Sequence, residues 1–256
     1  MKYSNYETLR AAYPDKGVLH ISLNRPEQVN SMNRKMIEEL LHLWNALIHD
    51  MDTTVVVLSG EGEKGFCSGM DVADVFNPDL MKAPIMYDYQ YNFGELELAM
   101  RRIPQPIIAA VHGPAIGAGF SFALASDIRV ITEDARFATY FIRLGLGGAD
   151  MGCSYFLPRL IGAGRASEFM LTGRFMSSQE AMNLGLCSRC VPTREELLET
   201  AFSIAKDIAS KDPLAVKLTK EAINANIDCP DLQSAIHLEN RNQVFITMHN
   251  IQKSQQ

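Results

Sequence analysis

The chain has 256 residues, of which 47% are hydrophobic and 21% charged, and its formal net charge is -6. That length suits one large domain or two small ones, and the apolar content suffices for a packed core, which excludes a disordered or low-complexity chain. The acidic balance gives no overall pull toward nucleic acid or an anionic membrane surface.

Apolar runs such as Ile107 to Val111 fall far short of the ~20 residues that span a bilayer. The opening MKYSNYETLR lacks the apolar stretch of a secretory signal. Cys67, Cys153, Cys187, Cys190 and Cys229 form an odd, scattered set, which reads as reduced thiols in the cytoplasm. Cys187-x-x-Cys190 has no second Cys or His pair to complete a zinc set, so buried strand cysteines are the expectation. The histidines have no ligand spacing, and no metal is expected.

VLHISL at 18–23 alternates as a half-buried strand. From Met32 onward, Met36, Ile37, Leu40, Leu41, Trp44, Leu47 and Ile48 form a helical apolar stripe, with Ser31 or Asn33 as its cap. TVVVLS, Ile107 to Val111 and Ile128 to Ile131 are continuous apolar runs of strand length. Separated by helices, they predict an α/β architecture with strands buried on both faces. The segment from Asn77 to Arg102 reads as a loop leading into a helix. Ser177-x-x-Glu180 and Thr193-x-x-Glu196 are capping boxes, the first opening a short helix closed at Gly185 and the second a helix to about Ser210. The division expected is a mixed core over 1–195 and a helical region over 196–256.

Phosphate-loop, dinucleotide and zinc-protease signatures are absent. Gly119-Phe-Ser121-Phe-Ala123 is one glycine short of a nucleophile elbow, with Asp150 and His237 following in a permitted order, so a serine hydrolase is a rival class. Two glycine-bearing turns stand out: Phe66-Cys67-Ser68-Gly69-Met70-Asp71 after TVVVLS, and His112 to Gly119 after PIIAAV. Small residues there admit another molecule close to the backbone, and a helix start supplies free N–H groups. Side by side, two such turns aim two donors at one oxygen, an oxyanion hole; either one alone is only a tight turn.

LNRPEQVNSMN, GFCSGMD, AAVHGPAIGAGFSFALASD and LPRLIGAGRASEFMLTGRFMSSQEAMNLGL resemble the crotonase (enoyl-CoA hydratase/isomerase) superfamily, in its order and over nearly the whole chain from about residue 18. The resemblance implies a spiral of repeated ββα units with C-terminal helices that build trimers or hexamers. It implies an acyl-CoA thioester substrate, with coenzyme A as part of that substrate and no tightly bound cofactor. The amides of Met70 and Ala118 would hold the thioester oxygen of an enolate, and Gly69 and Gly117 would contact the coenzyme A part of the substrate. Arg25 would lie near the CoA phosphates, unless it is a solvated turn residue, and Phe66, Cys67 and Ser68 would line the adenine side.

Relatives that hydrate use two glutamates, and here Ser121 and Phe141 stand at those positions. Asp150, eight residues before Pro158, resembles the lone acid of peroxisomal-type enoyl-CoA isomerases and, less completely, the nucleophile of chlorobenzoyl-CoA dehalogenases. One carboxylate in an acyl pocket lined by Phe141, Leu144 and Phe156 would shuttle a proton from Cα to Cγ. The alternatives are a helix cap for Asp150, hydration with Asp150 alone activating water, and a non-catalytic acyl-CoA-binding protein. Asp71 is expected to cap a helix, Asp127 to fix a turn and His112 to be structural. Met81, Met86, Tyr87, Tyr89 and Tyr91 are candidates for the pocket wall.

Overall fold

A computed structural model describes residues 3, 5–75, 77–78 and 82–255; Met81 lies outside them. The elements in order are β1 (Leu9–Asp15), β2 (Val18–Leu23), α1 (Arg34–Leu47), β3 (Val55–Gly60), α2 (Val72–Val75), α3 (Ala83–Arg102), β4 (Ile107–Val111), β5 (Pro114–Ile116), α4 (Ala118–Ala125), β6 (Ile128–Thr132), β7 (Arg136–Ala138), α5 (Cys153–Ile161), α6 (Ala163–Thr172), β8 (Met176–Ser177), α7 (Ser178–Asn183), β9 (Arg189–Val191), α8 (Arg194–Ala209), α9 (Pro213–Asn226) and α10 (Leu232–Ser254).

The larger sheet has the order β1-β2-β3-β4-β6-β9, parallel except for the β1–β2 hairpin; the smaller has the order β5-β7-β8. β4 in the first sheet runs into β5 in the second and then α4, and β6 into β7 and then helices. This is the expected spiral of ββα units. The apolar runs become strands because both faces of the larger sheet are covered. α1, α3 and α4 bury one face around Trp44, Leu58, Phe93, Ala109 and Phe120. On the other face α8 lays Leu197, Ala201 and Ala205 against Val55, Val57, Ile108 and Val130. α8 therefore belongs to the core, whereas α10 buries no residue.

Local signals act as their chemistry dictates. Asn33 caps α1 by accepting from the Met36 amide at 3.0 Å. Ser177 and Glu180 complete a reciprocal capping box at α7. Thr193 Oγ1 accepts from the Glu196 amide at 3.2 Å at the start of α8. Cys190 lies in β9, but Cys187 is buried in the segment before it, and all five thiols are free.

Candidate active site

The two glycine turns are stitched together by backbone. The Phe66 amide donates to His112 O at 2.8 Å, the Cys67 amide to Pro114 O at 3.1 Å, and the Ile116 amide to Cys67 O at 2.9 Å. Such pairing needs close approach. A Cβ on Gly119 would sit 2.3 Å from Cys67 O, and one on Gly69, at φ +99°, 2.9 Å from Ile116 O and 3.7 Å from the Ala118 nitrogen. Gly117, at φ +53°, packs against Phe141 and Gly69. The Met32 amide donates to Gly69 O at 2.8 Å and fixes the first turn from its other side. Met70 and Ala118 are thereby brought together, and neither amide donates to an acceptor among the described residues. Ala118 opens α4, so its N–H is one of the orphan donors of a helix start.

Asp150 precedes α5, whose N-cap is Gly152, so it is not the cap of that helix. Its Oδ1 accepts from Gln90 Nε2 of α3 at 2.7 Å and from the Met151 amide at 2.8 Å. Oδ2 accepts nothing among the described residues. Met151 holds φ +47°, a left-handed conformation strained for a side chain of its kind, and is buried. Burial raises the Asp150 pKa above the ordinary carboxylate value, opposed by the Met151 amide and Gln90. Of the expected wall residues, Phe156 is half-buried and lines the cavity described below, Phe141 is buried against Gly117, and Leu144 is 54% exposed and is not among the residues lining that cavity. Of the other wall candidates, Tyr89 is buried and Met86 half-buried, while Tyr87 and Tyr91 face solvent.

The remaining candidates fall elsewhere. Arg25 is neither solvated nor free: it pairs with Asp71 at 2.8 Å and donates to Ser31 O at 2.5 Å, which braces the turn from behind. Asp71 also caps α2 through the Ala73 amide at 3.2 Å. The side chains of Phe66 and Cys67 are fully buried, which leaves only Ser68 of that trio open to an adenine. His112 is structural, with Nε2 2.9 Å from Gly62 O. Asp127 does more than fix a turn: it accepts from the Ile107 amide and pairs with Arg101 at 2.8 Å and Lys220 at 3.0 Å. Ser121 is fully buried, with Oγ 3.3 Å from Gly117 O and 3.1 Å from Cys153 Sγ. It has no histidine partner among the described residues, and His237 lies on α10, so the hydrolase constellation is not assembled.

Two residues missed by sequence reading, Gln90 and Glu97, come from α3. With Gly94 and Arg101 they recur at helical spacing on one face, a signal available in the sequence. Beside this face lies a cavity of about 1140 Å³ between α3, α5 and α9, lined by Gly94, Glu97, Leu124, Gly152, Phe156 and Ile223 among others. No helix among the described residues is long and apolar enough to cross a membrane, and none of their His, Cys, Asp or Glu form a metal-holding group.

Comparison with known proteins accords with this geometry. The enoyl-CoA hydratase/isomerase family profile matches residues 14–256. A probable enoyl-CoA hydratase of Mycobacterium leprae is 38% identical over 241 residues, covering 93% of this chain and 81% of the relative. The mitochondrial Delta(3,5)-Delta(2,4)-dienoyl-CoA isomerase of Rattus norvegicus is 38% identical over 230 residues, covering 84% and 68%. The crystal structure of a putative enoyl-CoA hydratase from Streptomyces coelicolor superposes with a TM-score of 0.90 at 35% identity, covering 96% and 88%. With the spiral fold and the paired glycine turns, these matches make the chain an enzyme of the enoyl-CoA hydratase/isomerase family.

Proposed function

We propose that the protein isomerises the double bond of an enoyl-CoA thioester, with Asp150 as the base. The Met70 and Ala118 amides hold the thioester oxygen as negative charge develops on it, and Asp150 Oδ2 removes the proton at Cα. The observation that carries this reading is the half-held carboxylate of Asp150: Oδ1 is fixed by Gln90 and the Met151 amide, while Oδ2 accepts nothing among the described residues. Desolvation strengthens that carboxylate as a base. Ser121 and Phe141 occupy the two positions where hydrating relatives hold and activate water. Neither side chain is a base at neutral pH, which favours isomerisation over hydration.

The test is product analysis with β,γ- and α,β-enoyl-CoA, wild type against Asp150→Asn. Isomerisation should fall by about 10²–10⁴-fold in the variant. A 3-hydroxyacyl product at a comparable rate assigns hydration instead, and an unchanged rate removes Asp150 from the mechanism.

In the same reading Ser68 is the open side chain toward coenzyme A, and Arg25 supports the turn that carries it. The protein assembles as a trimer or hexamer and works in the cytoplasm, where its five free thiols stay reduced. Within the C-terminal region at 196–256, α8 serves the core, and α9 and α10 serve assembly. Support comes from α10, which exposes Val244, Phe245, Met248 and Ile251.

A further inference from the structure

Gln90, Gly94, Glu97 and Arg101 share one face of α3. The ends of that face are accounted for: Gln90 holds Asp150, and Arg101 pairs with Asp127 and donates to Ala125 O at 2.9 Å. The middle is not. A methyl group at Gly94 would meet nothing within 4 Å, so packing does not call for glycine there, although glycine costs a helix about 1 kcal/mol against alanine. Glu97 is 4% exposed, and neither carboxyl oxygen has a hydrogen-bond partner among the described residues. An unpartnered buried polar group carries a full desolvation penalty, and in a native fold it calls for a reason.

The surroundings supply one. Glu97 and Gly94 line the cavity together with Gly152 and Phe156, two and six residues past Asp150. Glu97 lies within electrostatic reach of Asp150 and of Cys153, whose Sγ is 3.1 Å from Ser121 Oγ on the oxyanion helix. Burial pushes the Glu97 pKa well above the ordinary value, and the Asp150 charge adds to the rise. Burial of this kind favours the neutral, protonated acid, the form that has a proton to give. An acyl chain entering this cavity beside Gly152 and Phe156 would come to Glu97, which lines the same cavity.

We infer that Glu97 is a second proton carrier of the site, which delivers a proton to the γ-carbon of the acyl group after Asp150 has taken one from the α-carbon. The inference rests on the reading of Asp150 as base and replaces its single-carboxylate shuttle with two groups. Asp150 takes the α-proton, and the C–H electron pair passes into the dienolate held by the two amides. The Glu97 O–H proton bonds to Cγ as the carbonyl re-forms and the double bond settles between Cα and Cβ, leaving Glu97 as carboxylate. One proton then returns from Asp150 to Glu97, and no further reactant is consumed.

The test is a single turnover, enzyme in excess, on β,γ-enoyl-CoA dideuterated at Cα. Wild type should place protium at Cγ. Glu97→Gln, which keeps the shape but has no acid proton, should slow isomerisation at least ~100-fold and place deuterium from Asp150 at Cγ. Deuterium at Cγ in the wild type, or the same label pattern in both proteins whatever their rates, overturns the inference. Exchange of the α-protons with solvent deuterium needs only Asp150 and the two amides. Glu97→Gln and Glu97→Met should keep it, and its loss in both means that Glu97 serves the fold instead. Asp150→Asn should abolish that exchange; its survival there refutes the base and leaves the wild-type label pattern to judge Glu97.

Discussion

Replacing Gly119 with alanine perturbs the juxtaposition on which the proposed oxyanion hole depends. The added Cβ would lie 2.3 Å from Cys67 O, 2.7 Å from Cys67 Cβ and 3.0 Å from Cys67 C. These are mostly backbone atoms, so no flexible side-chain end can swing aside. To bring the oxygen contact out to 3.0 Å, the two turns must part by about 0.7 Å. Cys67 is three residues before Met70, and Gly119 follows Ala118, so the parting acts directly on the spacing of the two donors. Losing one such donor costs about 3 kcal/mol of transition-state stabilisation, and a misplacement of about 1 Å can cost ~10²-fold. Gly119→Ala should therefore lower kcat by about 10²-fold with less effect on KM, because the donors act mainly on the charged transition state. Overpacking should also lower stability by about 1–3 kcal/mol. The assay is isomerisation of β,γ-enoyl-CoA, with urea denaturation in parallel. Kinetics within threefold of wild type in a protein that still folds would refute the reasoning.

Other perturbations separate the remaining parts of the account. Gly94→Ala should stabilise the protein by about 1 kcal/mol in a thermal melt, since the methyl enters open space and alanine favours the helix. The acid limb of kcat/KM should lie above the ordinary carboxylate value, because burial raises the Asp150 pKa and only the ionised form is a base; Gln90→Leu should shift that limb further up. Asp127→Ala leaves Arg101 and Lys220 half-buried or buried without their carboxylate and should cost about 3 kcal/mol in urea denaturation. Burial lowers the Lys220 pKa from 10.5 to about 8 despite Asp127. The unfolded chain therefore binds that proton more tightly, and Lys220 contributes stability that grows as pH rises from about 8 toward 10.5, a gain that Lys220→Met should remove from the denaturation curves. Phe245→Glu on α10 should shift the sedimentation coefficient toward that of a monomer; an unchanged value would place the assembly surface elsewhere.

What the sequence made legible follows local periodicity. TVVVLS and PIIAAV are continuous apolar runs bounded by glycine and proline, and they become β3 and β4. The glycine turns were visible because close backbone approach admits few other residues, as the Cβ positions at Gly69 and Gly119 show. Long-range partners were not visible. The Gln90–Asp150 bond joins residues 60 apart, and Lys220 reaches Asp127 from α9, so Asp127 read locally as a turn residue. Arg25 reads as a CoA-phosphate contact or a solvated turn residue, because its partner Asp71 lies 46 residues on. Glu97 carried no motif, and only its place on the Gln90–Gly94 face marks it out.

A crystal structure with an unreactive acyl-CoA analogue tests the central claim most directly. The account predicts the thioester oxygen within about 3 Å of both the Met70 and the Ala118 nitrogen, with Asp150 Oδ2 facing the α-carbon. A thioester bound away from those amides, or a ligand whose α-carbon Asp150 does not approach, would contradict it.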